Sequence, residues 1–126
     1  VRLFISLAAH HQWSLHQLDV KNVFLHGFLE EEIYLQQPPG FCAAGAESRV
    51  CRLRRSLYGL KQSPRAWFGR FSTVVSDFGL SRSMKDHIVF YRTTPHGCIL
   101  LVVYVDDIVI TGSDSVGITH LKAHLH

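Results

Sequence analysis

CILLVVYVDDIVITG, residues 98–112, is the stretch that decides how this chain folds. Ile99 to Val103, with Tyr104 behind them, lead into two adjacent carboxylates, and Ile108 to Ile110 lead away. Runs this short, rich in Val and Ile and closed by Thr111-Gly112, predict two strands of a hairpin rather than one helix. Asp106 and Asp107 are then expected at the tip. Like charges at the end of buried strands repel each other and lose hydration, and a hard cation such as Mg²⁺ would neutralise them. A solvated Asp-Asp turn, which needs no metal, is the plainer reading of the pair alone. Glu30 to Glu32 make the contrast, because three acids in a polar stretch read as a solvated face, whereas Asp106 and Asp107 interrupt a strongly hydrophobic segment.

Around that hairpin, 126 residues of 47% hydrophobic composition allow one domain with a modest core. No apolar run approaches the ~20 residues that span a bilayer, so a membrane-spanning role is not expected. VRLFISLAAHHQW, residues 1–13, suits an amphipathic helix better than a cleaved leader. The chain opens and closes (at His126) inside helical patterns, which predicts a fragment truncated at both ends. Cys42, Cys51 and Cys98 form no CxxC pair and leave an odd number, favouring free thiols in an intracellular setting over a disulfide framework or zinc site. His120 and His124 stand four apart on an expected helix, but with no third ligand nearby they read as surface histidines.

The net charge of +3 is unevenly spread. Arg49, Arg52, Arg54, Arg55, Lys61, Arg65 and Arg70 fall in one block without an acid, which suits either a phosphate-facing surface or a merely solubilising face. Leu3, Phe4, Leu7 and Ala8 have the spacing of a helix laid on a sheet. Leu15 to Val20 reads as a strand with Asp19 near its C-terminal end, where the following VKNVFLHG turns away; by itself Asp19 reads as an Asp starting that turn. Ile33 to Leu35 and Arg49 to Leu53 read as a hairpin with a basic side. Ser63-Pro64 reads as an N-cap and helix-starting proline, followed by an apolar stripe of Trp67, Phe68, Phe71, Val74, Val75 and Phe78 that ends at Gly79. Strands at Ile88 to Arg92 and Cys98 to Tyr104 flank a turn at Thr93 to Gly97, and a last helix begins near Asp114 or Ser115. This order predicts an α+β fold, an antiparallel sheet with helices packed on one face. If the strands Leu15 to Val20 and Leu100 to Tyr104 are neighbours in one sheet, Asp19 and Asp106 can share metal ions in the layout of two-metal phosphoryl transfer.

QLDVKNVFLHGFLEEEIYLQQPPGF (17–41), VCRLRRSLYGLKQSPRAWF (50–68) and YVDD (104–107) together resemble the reverse transcriptase region of copia-type LTR retrotransposon Gag-Pol polyproteins, over nearly the whole chain. The resemblance implies a partial reverse transcriptase domain across residues 1–126: the palm, with part of the fingers, of a right-hand polymerase. It implies an RNA-directed DNA polymerase, a nucleotidyltransferase that joins deoxynucleoside triphosphates to a primer 3′-hydroxyl on an RNA or DNA template. The metal-binding aspartates fall on Asp19, Asp106 and Asp107, with the Val20 carbonyl as an extra ligand, for two Mg²⁺ ions or Mn²⁺ in their place.

Other roles follow residue by residue. Phe24 takes the place of the aromatic steric gate, whose ring would exclude a ribonucleotide 2′-hydroxyl; without the resemblance it reads as core. Tyr58, Gly59 and Lys61 match the nucleotide side of the cleft, and Ser63, Pro64 and Arg65 its template side, while Tyr104 and Val105 would lie along the primer terminus. The chain departs from the common VKTAFLNG at Asn22, Val23 and His26. Implied partners are a primed template, dNTPs and the rest of the polyprotein, including fingers, thumb and RNase H. The implied setting is a cytoplasmic virus-like particle or the nucleus, and the isolated fragment is expected to be inactive. Two readings of other classes stand beside it: a catalytically inactive nucleic-acid-binding remnant of a decayed element, and a different Mg²⁺ phosphotransferase sharing only the acids.

Overall fold

A computed structural model describes residues 1–42, 45 and 48–125, which form two compact units, Val1–Lys21 with Phe71–His126 and Asn22–Arg70. The first is built on a five-stranded antiparallel sheet. Its strands are β1 (His16–Asp19), β4 (Ser81–Arg82), β5 (Val89–Thr94), β6 (Gly97–Tyr104) and β7 (Asp107–Gly112). Their spatial order is β1-β7-β6-β5-β4, so the earliest strand lies beside the last one and not, as expected, beside the strand of Leu100 to Tyr104, because β7 returns from the turn between them. The central hairpin is the one expected from residues 98–112, with Tyr104 paired to Asp107 and Ile99 to Gly112.

Residues opposite each other in register share a sheet face. One face therefore carries Phe90, Ile99, Leu101, Val103, Ile108 and Ile110, every one of them buried. Helix α2 (Ser63–Asp77) meets this face through Phe71, whose ring stands edge-on to Phe90 at 6.0 Å. Helix α3 (Ser115–Leu125) approaches it so closely that a Cβ on Gly117 would lie 2.8 Å from Ile99 Cδ1. Helix α1 (Arg2–His11) lies against β7 and buries Phe4 and Ala8. Truncating Phe90 to Ala at the centre of this layer is expected to cost about 3–5 kcal/mol.

The differences from the sequence reading have physical causes. Leu3, expected on the buried stripe, is 70% exposed, because α1 buries only the narrow i, i+4 line through Phe4 and Ala8. Strand β5 runs through Thr93 and Thr94, leaving a two-residue turn at Pro95-His96 where a five-residue one was expected. Helix α2 begins at Ser63 itself, and the buried Ser63 hydroxyl, expected as a cap, donates to the Leu57 carbonyl at 2.6 Å. The expected apolar stripe is present as a buried spine of Trp67, Phe71 and Val75, one residue per turn. Helix α3 starts as expected, capped by Asp114, whose carboxylate accepts from the Gly117 N–H at 2.8 Å. It is described as far as Leu125, and His126 lies outside the described residues.

The second unit holds β2 (Tyr34–Gln36) and β3 (Val50–Arg52), paired antiparallel, and a 3-10 turn at Val23–His26. Gly27 is fixed there by space. A Cβ at this position would come 2.7 Å from Ser56 Oγ, 3.0 Å from the Trp67 nitrogen and 3.1 Å from the Ala66 Cβ. No helix among the described residues is long and apolar enough to cross a membrane.

Candidate active site

In the first unit, Asp19 ends β1 and faces Asp107, the first residue of β7. The Val20 N–H donates to the Asp106 carbonyl at 3.3 Å, one step beyond this pair. That pattern makes Asp19 and Asp107 a non-hydrogen-bonded pair, the closer of the two antiparallel arrangements, with Cα atoms typically ~4.5 Å apart. Two carboxylates thus share one sheet face at close quarters, an arrangement that destabilises a strand pair. The register sets Asp107, not Asp106, opposite Asp19. Asp106 belongs instead to the turn, which consists of Val105 and Asp106, so only one of the twin acids is at the tip.

Val105 is held at φ 59°, in the left-handed region that β-branched residues avoid. A two-residue hairpin turn with positive φ at its first central residue matches the right-handed twist of the strands, so turn geometry overrides side-chain preference here. Tyr104 and Val105 are both exposed beside the acids. The Asp107 carboxylate accepts a hydrogen bond from Gln17 Nε2 at 2.9 Å. Gln17 carries no site signal of its own in the sequence, although its place two residues before Asp19 puts it on the same strand face.

Asp19, Asp107 and Asp106 offer only hard oxygen donors, which suit Mg²⁺ or Mn²⁺. Mg²⁺ is commonly bound by one or two carboxylates completed by water and substrate phosphate rather than by a full protein cage. The close Asp19–Asp107 pair fits that pattern. Among the described residues no group of three or more His, Cys, Asp or Glu side chains is gathered to hold a metal. His124, one of the histidines weighed in the sequence, packs its ring on Phe78 at 5.3 Å and places Nε2 3.3 Å from the Val74 carbonyl oxygen.

In the second unit, the Phe24 and Tyr58 rings meet edge to face at 4.9 Å. Phe24 is half-buried and Tyr58 exposed. The Phe24 carbonyl accepts the hydroxyl of fully buried Ser56, which fastens the turn under the ring. Gly59 has φ 88° with open space where a Cβ would stand, so backbone conformation rather than crowding calls for glycine. Lys61, Pro64 and Arg65 are exposed at the start of α2, while Ser63 is buried and committed to Leu57.

The basic block is less uniform than its composition. Arg52 pairs with Glu32 at 2.8 Å, and Arg70 lies over the Phe28 ring at 4.8 Å. Glu32 also accepts from the Tyr34 hydroxyl at 2.8 Å, so one of the three acids read as a solvated face is engaged on the surface.

A sequence model of the family described as reverse transcriptase (RNA-dependent DNA polymerase) matches residues 1–126. The chain is 44% identical over 126 residues to the retrovirus-related Pol polyprotein from transposon TNT 1-94 of Nicotiana tabacum, covering 99% of this chain and 10% of that protein. It is 42% identical over 120 residues to the corresponding polyprotein from transposon RE2 of Arabidopsis thaliana, covering 95% and 8% respectively. At 30% identity over 111 residues it also matches the transposon Ty1-DR5 Gag-Pol polyprotein of Saccharomyces cerevisiae, covering 87% and 6%. The chain thus spans a tenth or less of each of these relatives. No solved structure matches it significantly. With the family model matched from end to end and its retrotransposon relatives aligned over nearly all of its length, this chain belongs to the reverse transcriptase family, in the branch found in copia-type Pol polyproteins.

Proposed function

We propose that the chain is the palm, with part of the fingers, of an RNA-directed DNA polymerase, and that Asp19, Asp106 and Asp107 are its metal-holding acids. The observation that carries this reading is the pairing of Asp19 with Asp107 beside the turn that holds Asp106. A sheet that repels itself at one end is stabilised when a cation is bound there. Divalent ions at these carboxylates, with the Val20 carbonyl as a further donor, would lower the pKa of a primer 3′-hydroxyl and neutralise the departing pyrophosphate.

The chain's own residues do the remainder. The edge-to-face contact with Tyr58 limits how far the Phe24 ring can turn, which suits a ring that rejects a 2′-hydroxyl. Lys61 and Arg65 supply exposed positive charge for triphosphate and template phosphates, and the open backbone at Gly59 lets a nucleotide come close. Exposed Tyr104 and Val105 offer an apolar ledge for the primer terminus. The polyprotein's other regions complete the enzyme, whose setting is a cytoplasmic particle or the nucleus.

The test is extension of a primed RNA template by the parent polyprotein carrying this segment, alongside its Asp19→Asn and Asp106→Asn variants. Extension by the wild type and its loss in both variants is expected. Equal extension by all three would remove the assigned role, and duplex binding without extension by the wild type would favour an inactive nucleic-acid-binding remnant. Phe24→Ala is expected to keep dNTP extension while admitting ribonucleotides, and unchanged sugar discrimination would return Phe24 to the core.

A further inference from the structure

Gln17 and Asp19 alternate onto the same face of β1, and across from them on β7 stand Val109 and Asp107 in that order. Gln17 is therefore the diagonal neighbour of Asp107, and its amide Nε2 donates to Asp107 Oδ1 at 2.9 Å. The bond joins residues 90 positions apart in the chain. Its value lies in the company Asp107 keeps. A carboxylate forced close to Asp19 is pushed away by like charge, and an unrestrained strand side chain has more than one rotamer by which to leave.

A neutral amide on the diagonal fixes one oxygen and leaves Oδ2 for another partner. Lys or Arg in its place would neutralise Asp107 and compete with a cation, and the shorter Ser or Thr hydroxyl would not span the diagonal. Half-buried Val109, directly opposite, gives the methylenes of Gln17 an apolar surface to lie on. We infer that Gln17 is a positioning residue: it holds the Asp107 carboxylate oriented to share a divalent cation with Asp19. This rests on the polymerase reading of the acids. Hydrogen-bonded partners of metal-ligating carboxylates commonly govern affinity in this way.

The test uses the parent polyprotein with Gln17→Met, which keeps chain length and removes the amide, and with Gln17→Asn, which keeps the amide but falls short by one carbon. Mn²⁺ binding is followed by electron paramagnetic resonance without nucleotide, and the Mg²⁺ dependence of primer extension is measured in parallel. Both variants should bind Mn²⁺ about 10-fold more weakly and need correspondingly more Mg²⁺ for half-maximal extension. Their thermal midpoints and their rates at saturating Mg²⁺ should stay at the wild-type level. In an Asp107→Asn background, Gln17→Met should change nothing further.

Unchanged Mn²⁺ affinity in the Gln17 variants, while Asp19→Asn and Asp107→Asn lose it, would overturn the inference and leave the acid site standing. An equal loss with and without the Asp107 carboxylate would also overturn it, since Gln17 would then act elsewhere. If Asp19→Asn and Asp107→Asn bind Mn²⁺ as the wild type does, the reading of the acids fails and the inference falls with it.

Discussion

Val105 is the residue at which turn and sequence disagree. A valine at φ 59° carries a left-handed penalty of roughly 1–2 kcal/mol, which the paired strands on either side impose. Replacing it by glycine removes the penalty but adds unfolded-state entropy, so Val105→Gly is expected to raise stability by at most about 1 kcal/mol, read as a higher thermal midpoint. A lower midpoint would mean that the valine side chain contributes more than the strain costs. Asp114 is the opposite case, a residue in harmony with its place. The Gly117 N–H and the Thr94 hydroxyl hold its carboxyl below the usual carboxylate range, with smaller help from the His96 and Arg92 charges and against the effect of burial. A lowered folded-state pKa means stability that is present above the usual carboxylate range and lost as pH falls through the folded value. Asp114→Ala should therefore lower the thermal midpoint at pH 7, and the gap to wild type should narrow in acid. A gap that does not depend on pH would contradict the carboxylate's part. At this scale the sequence shows Asp106 and Asp107 as acids in apolar company and Asp19 as an acid near a strand end. It could not show Gln17 on Asp107, because that bond depends on a register between strands far apart in the chain.

Among the elements, legibility followed the strength of the periodic signal. The β6-β7 hairpin was readable because two apolar runs meet at polar residues, and α2 because aromatic residues recur at helical spacing. Strand β4, only two residues long and exposed, carries no alternation that sequence could reveal. The turn at Val23–His26 falls within VKNVFLHG, which reads as turning away from the strand of Asp19. What sequence could not show is how that turn is built: Asn22 enters it at φ 54°, and Gly27 closes it with no room for a Cβ beside Ser56 and the start of α2. Gly27→Ala should push Ser56 off the Phe24 carbonyl and cost about 1–3 kcal/mol, the usual penalty of overpacking. Denaturant unfolding would measure it, and a cost near zero would mean that the turn yields without strain.

For the whole molecule, the decisive event is topological: the first strand comes to lie beside the last, and an acid from each end of the chain meets across them. Sequence pattern suggests the first strand beside Leu100 to Tyr104, one strand off, since strand order in a sheet is a long-range property, whereas the three ordered motifs point to the family directly. The basic block belongs to the same scale. With Arg52 tied to Glu32, exposed Lys61 is the cleaner residue at which to test for a phosphate contact. In the parent polyprotein, Lys61→Ala should reduce the salt dependence of primed-duplex affinity by about one unit of log–log slope, uniformly across sequences. An unaltered slope would place Lys61 away from phosphate. Anomalous diffraction from the parent polyprotein, crystallised with primed template, dNTP and Mn²⁺, shows whether Asp19 and Asp107 hold one cation between them. A shared cation requires an Mn²⁺ peak within ligand distance of both carboxylates. A peak elsewhere, with Asp19 outside the coordination sphere of any ion, would contradict it.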